Sequence, residues 1–252
     1  MVIGVPLLMY FMQDRMIFHP QRLSEAQRTQ IRKNPAVEEL IIPAEDGRRL
    51  HAWHIKGDPL VLYFGGNAED VSWMIDEALQ RTPGVGWLLT SYRGYGGSEG
   101  EPSEVALSAD ALQWYDYVAR EYPGKYLTLG RSLGSGVAVH LAAKREVAGV
   151  ILAAPYSSLV HVAKHYYPWL PVRFMLRHKF DSMARAPHIR APLLCLVAGR
   201  DEVIPPVLAR RLYDAWGGPK QWVALEEAGH NTTDSHPMFW KNVTDFLVKM
   251  RP

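Results

Sequence analysis

A chain of 252 residues, 48% hydrophobic and 21% charged, has the composition of an ordinary globular protein rather than a disordered one. Its 28 Lys and Arg against 26 Asp and Glu leave a net charge of +2, too weak a field for a nucleic-acid binder. No zinc-finger, homeodomain or RNA-binding signature accompanies it, so nucleic acid is not an expected partner.

The chain opens on VIGVPLLMYFM, positions 2–12, apolar throughout. Eleven helical residues reach about 16 Å, roughly half of a bilayer's hydrocarbon core, so the segment cannot span as it stands. Basic residues do not precede it and no small-residue cleavage site follows, which argues against a secretory signal peptide. It reads as a helix lying in a membrane interface or a hydrophobic groove, as the end of a longer anchor, or as an ordinary helix packed on its own core. No linker follows, so the expected organisation is this segment over 1–20 and one domain over 21–252.

VEELII (37–42) and RLHAWHI (49–55) flank AEDG (44–47) and read as an antiparallel hairpin with one wet face, His51 and His54 falling on opposite faces as structural residues. Strand-like runs follow at LVLYF (60–64), GWLLT (86–90), YLTLG (126–130), VILAA (150–154), LLCLV (193–197) and QWVAL (221–225). Helical spacing separates most of them: 69–80 aligns Val71, Ile75, Ala78 and Leu79, and 103–120 aligns Leu107, Ala111, Trp114 and Val118. Buried strands alternating with helices predict an α/β fold, a mostly parallel twisted sheet covered by helices on both faces and joined by right-handed crossovers. The interval 156–190 is too long for a simple crossover and predicts a small helical cap over the strand ends. Cys195, the single cysteine, sits in LLCLV and reads as a buried thiol; no intrachain disulfide can form.

Parallel sheets place chemistry in the loops beyond the carboxyl ends of their strands. One such loop holds LGRSLGSGV (129–137), with Ser132 two residues from Gly130 and from Gly134. A nucleophile on a sharp strand-to-helix turn needs small neighbours at those positions, and the following helix supplies free amides for developing negative charge. A serine also needs a base, and the base an orienting acid. After LLCLV comes AGRDEVIPP, with Asp201 as the acid and Glu202 as the lesser alternative; after QWVAL comes EEAGHNTTD, with His230 as the base and His236 as a distant rival. The oxyanion hole is expected from the backbone amides of Leu133 and Asn67, with Gly66 close behind. The plainer reading of GGNAED is a turn capped by Asn67.

The chain resembles α/β-hydrolase-fold serine hydrolases of the bud-emergence (Bem) type, a family that includes membrane-associated animal protein depalmitoylases. The resemblance rests on QDRMIFHP (13–20), YFGGNAED (63–70), YRGYGGSEGEPSE (92–104), LGRSLGSGVA (129–138), FDSMARAPHIRAPLL (180–194), GRDEVIPP (199–206) and AGHN (228–231). It implies the α/β-hydrolase fold, Ser132 as nucleophile, Asp201 as acid, His230 as base, an oxyanion contribution from the Gly66–Asn67 region, and Arg93 and Tyr95 bracing their turn. Two positions depart: the family commonly has histidine where this chain has Gly65, which predicts a looser oxyanion loop, and aspartate where it has Ser91. The cysteine-rich lipidated N-terminus of the depalmitoylases has no counterpart in this sequence.

The cap interval carries Lys164, Arg173, Arg177, Lys179, Arg185 and Arg190 against Asp181, with Tyr156, Tyr166, Tyr167, Trp169, Phe174 and Phe180. Together with the apolar N-terminus this suggests a face toward an anionic membrane, the alternative being a solvated cap with a core-facing aromatic side. His161 and His165 have a helical metal spacing but no companion ligand, and phosphate-loop and dinucleotide patterns are missing, so neither metal nor nucleotide cofactor is expected. The reading is a cofactor-independent serine hydrolase of esters or thioesters, the sharper form being a depalmitoylase acting on lipidated protein. It would lie at a membrane on its cytoplasmic side, or else be soluble in the cytoplasm. A peptidase or amidase with the same residues, and a non-catalytic membrane-tethered binding protein of hydrolase fold, are the rivals.

Overall fold

The computed structural model describes residues 4–250, so Val2 and Ile3 of the apolar segment lie outside the described residues. Strands β1 (Val37–Pro43), β2 (Arg49–Ile55), β3 (Leu60–Phe64), β4 (Gly86–Thr90), β5 (Tyr126–Arg131), β6 (Gly149–Ala153), β7 (Leu193–Ala198) and β8 (Lys220–Leu225) form one sheet in the order 1-2-4-3-5-6-7-8. β2 runs antiparallel to β1 and β4, and every other pair is parallel. α2 (Glu25–Arg32) precedes the hairpin, whose tight turn lies at Gly47, where a φ of +80° suits a residue without a Cβ, and α9 (Pro206–Ala215) follows β7.

Alternation along each strand divides the core in two. Leu60, Leu62 and Phe64 of β3 enter one layer, with Leu107, Ala111, Trp114 and Val118 of α4 (Glu104–Glu121) and Val137 and Leu141 of α5 (Leu133–Ala142). Val61 and Tyr63 enter the other, with Ile75 and Ala78 of α3 (Met74–Arg81) and Phe239, Val243, Phe246 and Leu247 of α10 (Pro237–Met250). Each large apolar side chain so buried contributes about 1.5–3 kcal/mol. Truncating Trp114, 1% exposed, to alanine would cost about 3–5 kcal/mol.

Two expectations are corrected. The helix foreseen over 69–80 starts later: the Asp70 carboxylate accepts from the amide and hydroxyl of Ser72, making a 3-10 turn at Val71–Trp73 before α3, so Glu69 lies in a loop. The hairpin also lacks a continuous wet face, because β2 is buried from Leu50 to Ile55. Interior to the sheet, it gives Leu50 and Ala52 to one layer and Trp53 and Ile55 to the other. Its histidines are satisfied internally: His51 meets Glu39 Oε1 at 2.9 Å and Ser91 Oγ at 3.1 Å, and His54 meets Glu38 at 3.4 Å.

Residues 156–190 carry α6 (Leu159–Tyr166), α7 (Val172–Met175), α8 (Ser182–Arg185) and a 3-10 turn at Ala186–His188. α1 (Gly4–Ile17) is seated on this cap. The Gln13 amide donates to Met175 O at 3.2 Å and accepts from Arg177 N at 2.7 Å, and Asp14 pairs with Arg177 and His178 at 2.9 and 2.8 Å. The basic patch is accordingly divided: Arg177 is paired with Asp14, Arg185 lies 3.8 Å from Glu104, and Arg190 donates to Gly217 O. Among the described residues Lys164, Arg173 and Lys179 have no ion pair, and all three are exposed. The aromatics divide too, Tyr156 and Phe180 into the core and Trp169 and Phe174 to the surface. Among the described residues, no helix is long and apolar enough to cross a membrane.

Candidate active site

β5 ends at Arg131 and α5 begins at Leu133, leaving Ser132 alone to make the turn at φ 49° and ψ −118°. A side-chain-bearing residue in that region stores on the order of 1–3 kcal/mol of strain, which the surrounding packing must hold in place. The two glycines make the turn feasible. A Cβ on Gly134 would lie 2.0 Å from Phe64 O, and one on Gly130 would lie 2.3 Å from Gly134 O.

The loop after β8 brings the His230 ring beneath this serine, with Ser132 Oγ 2.8 Å from Nε2. The loop after β7 brings Asp201 to the far side of the ring, its two oxygens 3.0 and 2.9 Å from Nδ1. An ionised carboxylate only accepts, so Nδ1 carries the hydrogen and Nε2 is left to accept from the serine hydroxyl. Asp201 is itself fixed by the amides of Val203 and Ile204 at 2.9 and 2.6 Å, with a side chain 2% exposed. Glu202 does not share its place: it accepts from the His230 backbone amide at 3.3 Å rather than from the ring. His236 turns instead to the Met238 amide at the head of α10, and His161 Nδ1 is occupied by Ser157 Oγ at 2.9 Å. Cys195 is fully buried, and burial pushes its thiol up, away from the reactive thiolate.

Opposite the serine, the loop after β3 is held at several points. Gly66 N–H donates to Glu69 Oε2 at 2.7 Å, Tyr92 OH to Gly65 O at 2.8 Å, and Asn67 O accepts from Tyr95 OH at 2.6 Å and from His19 N–H at 3.1 Å. With Gly66 N–H occupied, Asn67 N–H is left without a partner among the described residues. Leu133 N–H, the first amide of α5, is one of the unpaired donors every helix start presents. The predicted looseness at Gly65 is not found: a Cβ there would meet Glu69 Cδ and Val71 Cγ1 at 3.0 Å, so the loop is packed as well as bonded. Tyr95 reaches beyond its own turn to this loop, while Arg93 ties its turn to Asp110 and to Asp46.

Ser132, Leu133 and Asn67 face a cavity of about 290 Å³ whose other walls are almost wholly apolar. The cap contributes Leu159, Val162 and Leu170, and α1 contributes Met9, Met16 and Ile17. Tyr166 OH donates to the carbonyls of Glu202 and Val203 at 2.9 Å, tying the cap to the Asp201 loop. Sequence patterns missed the part of α1 in this wall, because a segment apolar throughout does not reveal which side faces inward. They also missed Glu69, which at the head of a foreseen helix resembled an ordinary helix-start acid.

The fold and the loops can be set beside known proteins. No family model matches the chain. The Mycobacterium tuberculosis uncharacterized protein Rv2307c is 35% identical over 237 residues, spanning 90% of this chain and 84% of that one. The Arabidopsis thaliana alpha/beta hydrolase domain-containing protein WAV2 is 29% identical, over 100% of this chain and 92% of its own length. The Danio rerio lysophosphatidylserine lipase ABHD12 is 33% identical over 62% of this chain and 47% of its own. Among solved structures, the Pyrococcus furiosus esterase Pf2001 superposes with a TM-score of 0.72 at 16% identity, covering 93% of this chain and 98% of that one. The chain belongs to the α/β-hydrolase family and has its fold.

Proposed function

We propose that the protein is a serine hydrolase of carboxylic esters and thioesters, with Ser132 as nucleophile, His230 as general base and Asp201 as the acid that orients it. The observation that carries this reading is the 2.8 Å contact between Ser132 Oγ and His230 Nε2, made on a strained turn at the floor of an apolar cavity. His230 takes the serine proton as Oγ adds to the substrate carbonyl. The resulting oxyanion is met by the amides of Leu133 and Asn67, each such donor being worth about 10²–10³ in kcat. Asp201 stabilises the imidazolium, which returns the proton to the departing alcohol or thiol. Water, deprotonated by His230, then releases the acid from the acyl-enzyme and restores Ser132. Relatives named as a lipase and an esterase favour ester substrates for this chain as well.

The walls of the cavity favour an apolar acyl group, held between α1 and the cap. Beside it, Leu7, Leu8 and Phe11 of α1 and Trp169 and Phe174 of the cap are exposed, as are the basic Arg15, Lys164 and Arg173. That combination supports docking on an anionic membrane surface, as on the cytoplasmic side of a membrane, with a fatty acyl thioester of a lipidated protein as the sharper substrate. A fluorophosphonate probe should label the wild type and not Ser132→Ala; folded wild type left unlabelled would refute the nucleophile. Esters and thioesters of increasing chain length should show kcat/KM rising with length. Vesicle flotation should recover the protein with anionic vesicles at low salt, and failure to float with any vesicle would remove the membrane.

A further inference from the structure

We propose that Glu69 is a positioning residue for the oxyanion hole, acting through Gly66 and Arg131. This rests on the reading of Ser132 as nucleophile. Four donors converge on its carboxylate: Gly66 N–H at 2.7 Å, Trp73 Nε1–H at 2.8 Å, Arg131 Nη1 at 3.3 Å and the Tyr63 hydroxyl. The side chain is only 8% exposed, and a carboxylate is the side chain that can accept from all four. Burial, with the charge of Glu69 beside it, pushes the Tyr63 phenol well above its usual range, so it stays a donor.

The partners of Glu69 join two of the three loops that meet at a reacting carbonyl, and Arg131 extends the contacts to the third. Gly66 precedes Asn67, and capturing its amide leaves the next amide as the one that faces the cavity. Arg131 immediately precedes Ser132, and its other arm points to Asp234, 3.5 Å away in the loop that carries His230. Its guanidinium also lies over the Trp73 ring at 5.9 Å, which holds it in place. One buried carboxylate with one arginine therefore fixes the oxyanion loop relative to both the nucleophile and the base. Displacement of the Asn67 amide would weaken binding of the tetrahedral state while leaving the apolar cavity, and hence ground-state binding, as it was.

The test is Glu69→Gln, read by kcat, KM and affinity for an alkyl boronic acid that forms a tetrahedral adduct on Ser132. Gly66 and Arg131 share Oε2 and Tyr63 and Trp73 share Oε1, so a glutamine, with one acceptor oxygen and a nitrogen that donates, leaves one of these pairs without its acceptor. The expected result is a fall in kcat of about ten- to a hundredfold with KM within about twofold, and boronate affinity falling by the same factor as kcat/KM. Leu247→Ala, on the core face of α10, serves as the comparison: it lowers the melting temperature and leaves kcat unchanged. If Glu69→Gln does not fold, Arg131→Met carries the same expectation. Glu69→Gln with wild-type kcat and boronate affinity, in a protein whose wild type is labelled by fluorophosphonate, would overturn this inference alone. A wild type that is not labelled overturns the nucleophile reading, and this inference with it.

Discussion

Replacing Gly134 by alanine probes whether the turn around Ser132 and the oxyanion loop form one rigid unit. The new Cβ would lie 2.0 Å from Phe64 O and 2.6 Å from Gly65 O, and both are backbone atoms with no rotamer to change. Reaching an ordinary 3.4 Å contact requires a shift of about 1.4 Å. Phe64 is paired on both sides, with Thr90 of β4 and Gly130 of β5, so the movement passes to Gly65–Asn67. Misplacement of about 1 Å at a catalytic group costs about a hundredfold in rate. Forced overpacking costs about 1–3 kcal/mol of stability, or roughly 2–12 °C in a domain of this size. With a short-chain p-nitrophenyl ester at 25 °C, kcat should therefore fall about a hundredfold, with KM within about threefold. Gly47→Ala is the comparison: it meets a positive-φ penalty instead of a steric one, at a site with no atom within 4 Å, so its melting temperature falls and its kcat does not. Wild-type kcat in Gly134→Ala would refute the claim that this contact sets the geometry of the site.

Asp201→Asn should lower kcat by about 10³–10⁴-fold with little change in KM, because an amide can hold the imidazole in the wrong tautomer; steady-state kinetics on the same ester would check it. Burial outweighs the attraction of Glu39 at His51 and lowers its pKa to about 4, partly because Arg28 also faces the ring. The unfolded value is about 6.5, so the unfolded chain binds the extra proton first, and this stability is full above pH 6.5 and lost as pH falls toward 4. Between pH 7 and pH 5 the wild type should lose about 2 kcal/mol more than His51→Gln in urea denaturation, and parallel curves would contradict this. Val162→Trp, in the cavity wall, should cut kcat/KM for a decanoate ester by about tenfold or more while sparing the acetate. Equal losses on both esters would show that the acyl chain lies elsewhere.

The strands were legible because each is a short apolar run ended by glycine, proline or a polar loop, and the α4 face was legible because four residues recur at helical spacing. Ser132, Asp201 and His230 could be named for a related reason: each follows its own strand, and a parallel sheet brings such loops to one edge. The sequence also kept Glu202 and Gly66 as alternatives, and only distances separate them, since one residue along a loop changes which atom meets the ring or the cavity. Supports made by single hydrogen bonds across the chain left no trace. Tyr95 reaches Asn67 across 28 positions and Tyr92 reaches Gly65 across 27, and neither distance has a period to detect. The wet face expected of the hairpin is met only on β1, on similar grounds: alternation shows that a strand has two faces, and the strand's place in the sheet decides whether both are covered.

Gly65 and Glu69 explain each other. On its own, glycine at 65 predicts a freer loop, since glycine loses more conformational entropy on ordering than any other residue. In the folded chain the room that a side chain at 65 would need is held by the Glu69 carboxyl group, with Cδ and Oε1 at 3.0 and 3.1 Å from the place of a Cβ. A side chain at 65 would therefore press on this carboxylate by a few tenths of an ångström, and the pose it presses on is what captures Gly66 N–H. The entropy lost in ordering glycine is offset by a charge-assisted hydrogen bond and by the Tyr92 bond to Gly65 O, which together are of comparable size. With glycine at 65, the loop after β3 is supported by a buried acid four residues on. That acid carries the ion pair with Arg131, which connects the loop to the residue preceding Ser132, the proposed nucleophile.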